Sequence, residues 1–271
     1  MNSLERKMVD VLKDLRENHA VIGVKAEFEA EGTRLEEALR LKEVVMKAEL
    51  GLTIKIGGPE ALRDMYECRT IGVERLVSPM IESAYALEKF LKATQIVFPQ
   101  DERKDVVFAV NIETITGYQN FDAMLALPEI GALNGIVVGR SDLTGSLGMS
   151  RNDINDTRIF DITRELLTKS KAKGLENAVG GGVSAHSLPF FRNLPHGTID
   201  RYETRKVIFK CPEALNHDAD KGILKAVGFE LLWVKNKRDF YKSISLEDAN
   251  RIKELERRYK HRIQKAGGLV E

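Results

Sequence analysis

Two acids stand where short apolar runs end. Glu113 closes DVVFAVNIE (105–113), and Asp142 lies at the end of GIVVGRSDL (135–143). Lys55 sits between two isoleucines in LTIKIGG (52–58), while Lys25, Glu27 and Glu29 alternate within VIGVKAEFEAE (21–31). Alternation with a period of two puts those three on one strand face. An ionised side chain inside a core is costly unless it is paired or holds a metal. Acids at neighbouring strand ends, beside lysines, therefore point to a site rather than a core. With no histidine or cysteine next to them, Glu113 and Asp142 are hard oxygen donors. Such donors suit magnesium or manganese, with water and substrate completing an octahedron. An ordinary ion pair at each acid is the plainer explanation, and spacing alone leaves both open.

The elements that must position these groups follow one repeated pattern. A helix over 2–18 carries Leu4, Met8, Val11, Leu12 and Leu15 at three- and four-residue spacing. Strand-like runs then recur at 21–31, 52–58, 74–82, 105–113, 135–143, 176–184 and 198–209, separated by helix-like stretches. Short apolar strands alternating with helices predict a parallel sheet buried on both faces. Neither GxGxxG nor GxxxxGK[ST] follows the first strand, so a (β/α)8 TIM barrel is preferred to a doubly wound sheet. The count is one strand short of eight. Either a weak strand hides near 224–234, or the first strand is atypical or missing and the N-terminal helix stands in its unit. The expected organisation is an N-terminal helix (1–20), a barrel (21–235) and a C-terminal helical extension (236–271). On that extension Ile252, Leu255, Tyr259 and Ile263 form one stripe, which either closes the barrel or contacts another subunit.

Composition narrows the function classes. The chain has 271 residues, with 42 basic against 41 acidic side chains. No basic excess is left to neutralise phosphates, so nucleic acid is not an expected partner. The two cysteines, Cys68 and Cys211, have neither zinc nor disulfide spacing. The charged N-terminus lacks the apolar segment of a signal peptide, and no apolar run of about 18 residues suggests a membrane span. A soluble protein of the cytoplasm is the expectation.

The words around the acids are more specific. FAVNIETITGYQN, followed some twenty residues later by GIVVGRSDLTGSLG, resembles the HpcH/HpaI aldolase and citrate lyase β-subunit family, and ERLVSPMIES resembles that family's preceding strand. The resemblance runs from about Val21 to about Phe209, is sharpest over 74–149 and gives out in the C-terminal sixty residues. It implies a (β/α)8 barrel of the phosphoenolpyruvate/pyruvate type that makes or breaks carbon–carbon bonds with a divalent cation (magnesium, manganese or cobalt). It also implies a small keto acid as substrate and assembly as a homo-oligomer.

Carried over residue by residue, the resemblance makes Glu113 and Asp142 the metal carboxylates. Lys55 falls where the family usually has an arginine that binds the substrate carboxylate, which keeps the charge and loses the two-pronged geometry. Where some members read Asp-Gly-Glu-His, Glu27 matches the glutamate, Lys25 stands at the aspartate and Phe28 at the proton-handling histidine. With that histidine absent, Glu27, Glu29, a metal-bound water or a desolvated Lys25 is left to move the proton. Lys55, Glu27 and Lys25 are the catalytic candidates; Lys55, Arg140, Ser141 and Glu29 are the substrate contacts. Arg140 would take a second carboxylate or a phosphate, or else a strand-end glutamate. The triplet Gly180-Gly181-Gly182 reads as a turn needing positive φ, or as bare amides approaching an anion. The leading function is a lyase or aldolase acting on a 2-keto acid or its aldol adduct. The alternatives are an acyl-CoA lyase of the malyl or citryl type, and a non-catalytic ligand-binding barrel that has lost the histidine.

Overall fold

A computed structural model describes residues 1–269. The chain runs α1 (Ser3–His19), β1 (Val21–Glu27), α2 (Leu35–Lys47), β2 (Gly51–Lys55), α3 (Leu62–Ile71), β3 (Arg75–Ser78) and α4 (Ala84–Val97). It continues through β4 (Val107–Ile112), α5 (Ile115–Gln119), α6 (Phe121–Leu125), β5 (Gly135–Gly139), α7 (Arg140–Ser146) and α8 (Thr157–Ala172). The last elements are β6 (Glu176–Gly180), α9 (Leu188–Arg192), β7 (Arg201–Glu203), β8 (Val207–Lys210) and α10 (Ala219–Lys265). The strands close into a barrel in chain order.

Seven strands are parallel, which gathers their C-terminal ends at one mouth. The eighth is antiparallel to both β7 and β1. The run 198–209, expected as one strand, is thus two strands folded back at Thr204-Arg205-Lys206. There the Thr204 amide donates to the Val207 carbonyl at 2.9 Å. A three-residue connection can only return antiparallel, because a parallel partner needs a crossover of a dozen residues or more. The first strand is present, with one register shift between Val21 and Gly23 where it meets β8, so the missing count belonged to the end of the barrel. Residues 224–234 lie inside α10, with Ile223, Ala226, Phe229 and Trp233 buried at helical spacing. A short apolar run does not by itself tell a strand from a buried helix.

The helix at the front is anchored locally. Asn2 and Glu5 form a reciprocal cap at the start of α1, and Met8, Leu12 and Leu15 are buried where α1 packs on α2 and α10. Inside the barrel, side chains form tiers. Arg75 and Arg201 share Glu176 near the N-terminal ends of the strands. Small residues Val77, Ala109, Val137 and Ala178 fill the waist. The charged groups of the mouth lie above them. Among the described residues, no helix is long and apolar enough to cross a membrane.

Candidate active site

The mouth encloses a cavity of about 730 Å³ lined by Lys25, Glu27, Glu29, Lys55, Asn111, Glu113, Ser141 and Asp142, together with Glu203 and Arg205. Strand register explains the convergence. Glu27 pairs with Lys55 across β1 and β2, and Gly139 pairs with Gly180 across β5 and β6.

Glu113 is positioned from three directions. Thr114 caps α5, accepting from the Gly117 amide, which turns the chain immediately after the acid. Asn111 Nδ2 donates to Glu113 Oε2 at 2.8 Å, and the Met80 amide donates to Oε1 at 3.1 Å. Met80 has φ of +51°, an uncommon conformation for a side-chain-bearing residue. Gly139 leaves the space: a Cβ there would meet the Glu113 carboxylate and side chain. Burial pushes the Glu113 carboxyl above its ordinary range. Lys55 and the two donors oppose that shift, and the charge of Asp142 adds to it. Asp142, at the first turn of α7, is exposed. No described residue forms an ion pair with either carboxylate.

The other side of the mouth is already neutralised. Lys25 Nζ lies 2.8 Å from Glu203 Oε2 and 3.4 Å from Glu27 Oε1. Burial alone would lower its ammonium, but the two glutamates outweigh burial and raise it. Lys25 is therefore not the desolvated base of the sequence reading, since it sits between two anions. Lys55 Nζ is 2.8 Å from Glu29 Oε2 and 3.8 Å from Glu27 Oε1. Burial opposes its charge as well, and Glu29, Glu27 and Glu113 overcome that penalty. Glu27 follows the same logic with the opposite sign. Burial would raise its carboxyl, and Lys25, Lys55 and Arg205 hold it below the usual range. Its Oε2 is buried and accepts no hydrogen bond.

Two expected substrate contacts change character. Arg140 does not line the cavity. Its fully buried guanidinium lies between the rings of Phe190 and Phe191. It donates to the carbonyls of Gly180 and Gly181, to Asn155 Oδ1 and to Ser187 Oγ. With those donors spent and no acid beside it, burial lowers it to about 10. Its work is to hold the glycine loop, not to meet an anion. Glu29 is past the end of β1, with its Oε2 turned onto Lys55 Nζ. Ser141 does reach the cavity, packed against Gly181. That glycine has φ of +81°, and a Cβ on it would come within 2.5 Å of the Ser141 amide. The turn reading of the triplet therefore holds.

The alternation of Arg201, Glu203 and Arg205 in the sequence marks a polar layer on the last strand with one member reaching the mouth. The structure brings two of them, Glu203 and Arg205, to the cavity, with Glu203 as the partner of Lys25. Val227 and Glu230 of α10 also border the cavity, and nothing in their local pattern pointed there.

The donors suit a hard divalent ion. Glu113 and Asp142 act on one another through charge and are claimed by no cation, and the Asn111 Oδ1 beside them is buried without a partner. Among the described residues, no cluster of three or more His, Cys, Asp or Glu is arranged for a metal. An ion held there would find two protein carboxylates, with its other positions open to water and substrate.

The model of the HpcH/HpaI aldolase/citrate lyase family matches residues 19–181, more than half of the chain. The chain belongs to that family. The matched segment contains Lys25, Glu27, Lys55, Glu113 and Asp142, and stops short of Glu203, Arg205 and Glu230. Family membership carries a lyase- or aldolase-type function. No curated protein sequence matches. Among solved structures, an HpcH/HpaI aldolase/citrate lyase family protein from Burkholderia cenocepacia shares 15% identity at a TM-score of 0.61, covering 87% of this chain and 100% of that one. The citrate synthase SbnG shares 14% at 0.60, covering 86% and 90%. An HpcH/HpaI aldolase from Desulfitobacterium hafniense shares 12% at 0.58, covering 72% and 81%. At these identities the likeness is one of fold.

Proposed function

We propose that this family member is a divalent-metal-dependent carbon–carbon lyase acting on a 2-keto acid or its aldol adduct. The observation that carries the reading is the pair Glu113 and Asp142, facing one cavity with neither carboxylate neutralised while every lysine beside them is already matched to a glutamate. The family is generally divalent-metal dependent, which supports the same reading.

Glu113 and Asp142 would hold the ion, which supplies Lewis-acid stabilisation of negative charge developing on a keto oxygen. Lys55, charged across the neutral range, adds a second positive centre at the same place and attracts the substrate carboxylate, displacing Glu29. In the cleavage direction the adduct's hydroxyl loses its proton and the carbon–carbon bond beyond the keto group's α-carbon breaks. The aldehyde departs, and the electron pair passes into the enolate. Glu27 Oε2, the buried carboxylate oxygen without a donor, takes that proton and can return it to the enolate carbon. The waist of Val77, Ala109, Val137 and Ala178 closes the floor against water.

The reading is tested by incubating the protein with pyruvate in D2O, with magnesium, manganese or cobalt, and following the methyl proton signal by NMR. Metal-dependent exchange that is lost in Glu113→Gln and in Asp142→Asn is the expected result. Absence of exchange with all three metals, together with no decarboxylation of oxaloacetate, would remove the keto-acid assignment. Malyl-CoA cleavage under those conditions would transfer it to the acyl-CoA lyases.

A further inference from the structure

We propose that the outer half of α10 pairs antiparallel with the same segment of a second copy of this chain. The last side chain in α10 seen gripping the barrel's outer helices is Tyr241, whose hydroxyl donates to Glu37 Oε1 at 2.7 Å. Beyond it the helix continues from Lys242 to Lys265, a span of about 36 Å at 1.5 Å per residue. The interactions of Ser243, Arg251 and Arg258 there stay within the helix. Most helical stability in proteins comes from packing of an amphipathic face, so the segment calls for a partner.

Its apolar face is regular. Ile244, Ile252, Leu255, Tyr259 and Ile263 are 39–56% exposed, and with Asp248 they follow one another at intervals of 4, 4, 3, 4 and 4 residues. Every position recurs after 11 residues, about 3.67 per turn. Such a stripe stays close to parallel with the helix axis and meets a straight partner along its length.

Charge selects both partner and direction. Residues 257–265 carry Arg257, Arg258, Lys260, Arg262 and Lys265 with no acid, whereas Glu247 and Asp248 lie near the other end. Parallel pairing in register would set five cations against five. Antiparallel pairing about a centre between Lys253 and Glu254 sets Leu255 beside the partner's Ile252, and Ile263 beside the partner's Ile244. It also brings each basic end to the partner's Glu247 and Asp248. One further feature then falls into place. At the root of the segment, Leu4, Leu39, Trp233 and Phe240 line an apolar groove of about 650 Å³. The same centring carries the end of the partner's helix, with its fully exposed Leu269, to that groove. An isologous contact of this kind closes as a dimer.

Sedimentation velocity on the full chain at micromolar concentration tests the arrangement. The parent should have the mass of two chains or a multiple of two. Ile252→Glu/Leu255→Glu should halve that mass while circular dichroism and the melting temperature of the barrel stay unchanged. Glu247→Lys/Asp248→Lys and Arg257→Glu/Arg258→Glu should each weaken association at least tenfold, and combining all four reversals in one chain should restore it. A monomeric parent, or a mass unaffected by the stripe variant, overturns the proposal. Failure of the combined reversal to restore association overturns the antiparallel direction. Should the stripe variant fail to fold, the parent's mass and the reversal series still decide.

Discussion

The two sides of the barrel mouth treat charge in opposite ways. On β1, β2 and β7, Lys25, Glu27, Lys55 and Glu203 neutralise one another through ion pairs. Past the ends of β4 and β5, Glu113 and Asp142 form no ion pair with any described residue, and the buried member is pushed toward its neutral form. The first arrangement is finished by folding. The second leaves the buried Glu113 carboxylate at a cost in stability that protonation or a bound cation would relieve. Substitutions that remove charge should therefore act on stability with opposite sign at the two walls.

The largest expected effect is on the neutralised wall. Lys25→Met leaves Glu27 and Glu203 buried around a missing cation and should cost about 3–5 kcal/mol in denaturant unfolding. A loss near zero would mean that water already reaches this pair. Next, Lys55→Met should lower kcat/KM for the keto-acid reaction by roughly 10²-fold, with Lys55→Arg staying within about tenfold of the parent. Equal activity in both variants would take Lys55 out of the reaction.

On the open wall the sign should reverse. Because the folded state raises the Glu113 carboxyl above its unfolded value, that group favours folding when protonated, and its contribution falls away as pH rises from the unfolded value through the folded one. Glu113→Gln should therefore be at least as stable as the parent at pH 7 and should lose this pH dependence, even as metal-dependent exchange disappears. A clear destabilisation would show that the hydrogen bonds from Asn111 and Met80 outweigh the burial of charge. The smallest effect is expected at His19. It is buried in the seam of α1 and α10 with both ring nitrogens unpartnered, and burial holds its pKa below the ordinary value. Stability should decline as pH falls below that ordinary value, about 6.5, because the unfolded chain takes the proton first. His19→Gln should flatten the acid limb of the melting-temperature profile.

Much of the barrel was legible along the chain, since strands buried on both faces appear as continuous apolar runs and the seven runs found all lie in it. The hairpin of β7 and β8 was hidden because its turn, Thr204-Arg205-Lys206, contains neither glycine nor proline to mark it. At the mouth, Glu113, Asp142, Lys55, Glu27 and Ser141 could be named because charge or a hydroxyl at the end of an apolar run is conspicuous. Arg140 was misjudged for the same reason. It looks like a free cation until the two phenylalanines of α9 and the carbonyls of the glycine loop close around it, and both come from 40 or more residues away.

Residue type and local period were thus enough to say which groups carry charge, which face of a strand they share and that hard oxygen donors meet at strand ends. Only the folded chain decided which charges cancel. Pairing energy depends on separation and burial, and those are set by the register of neighbouring strands. That is why Lys25 is spent on Glu203 while Asp142 remains open.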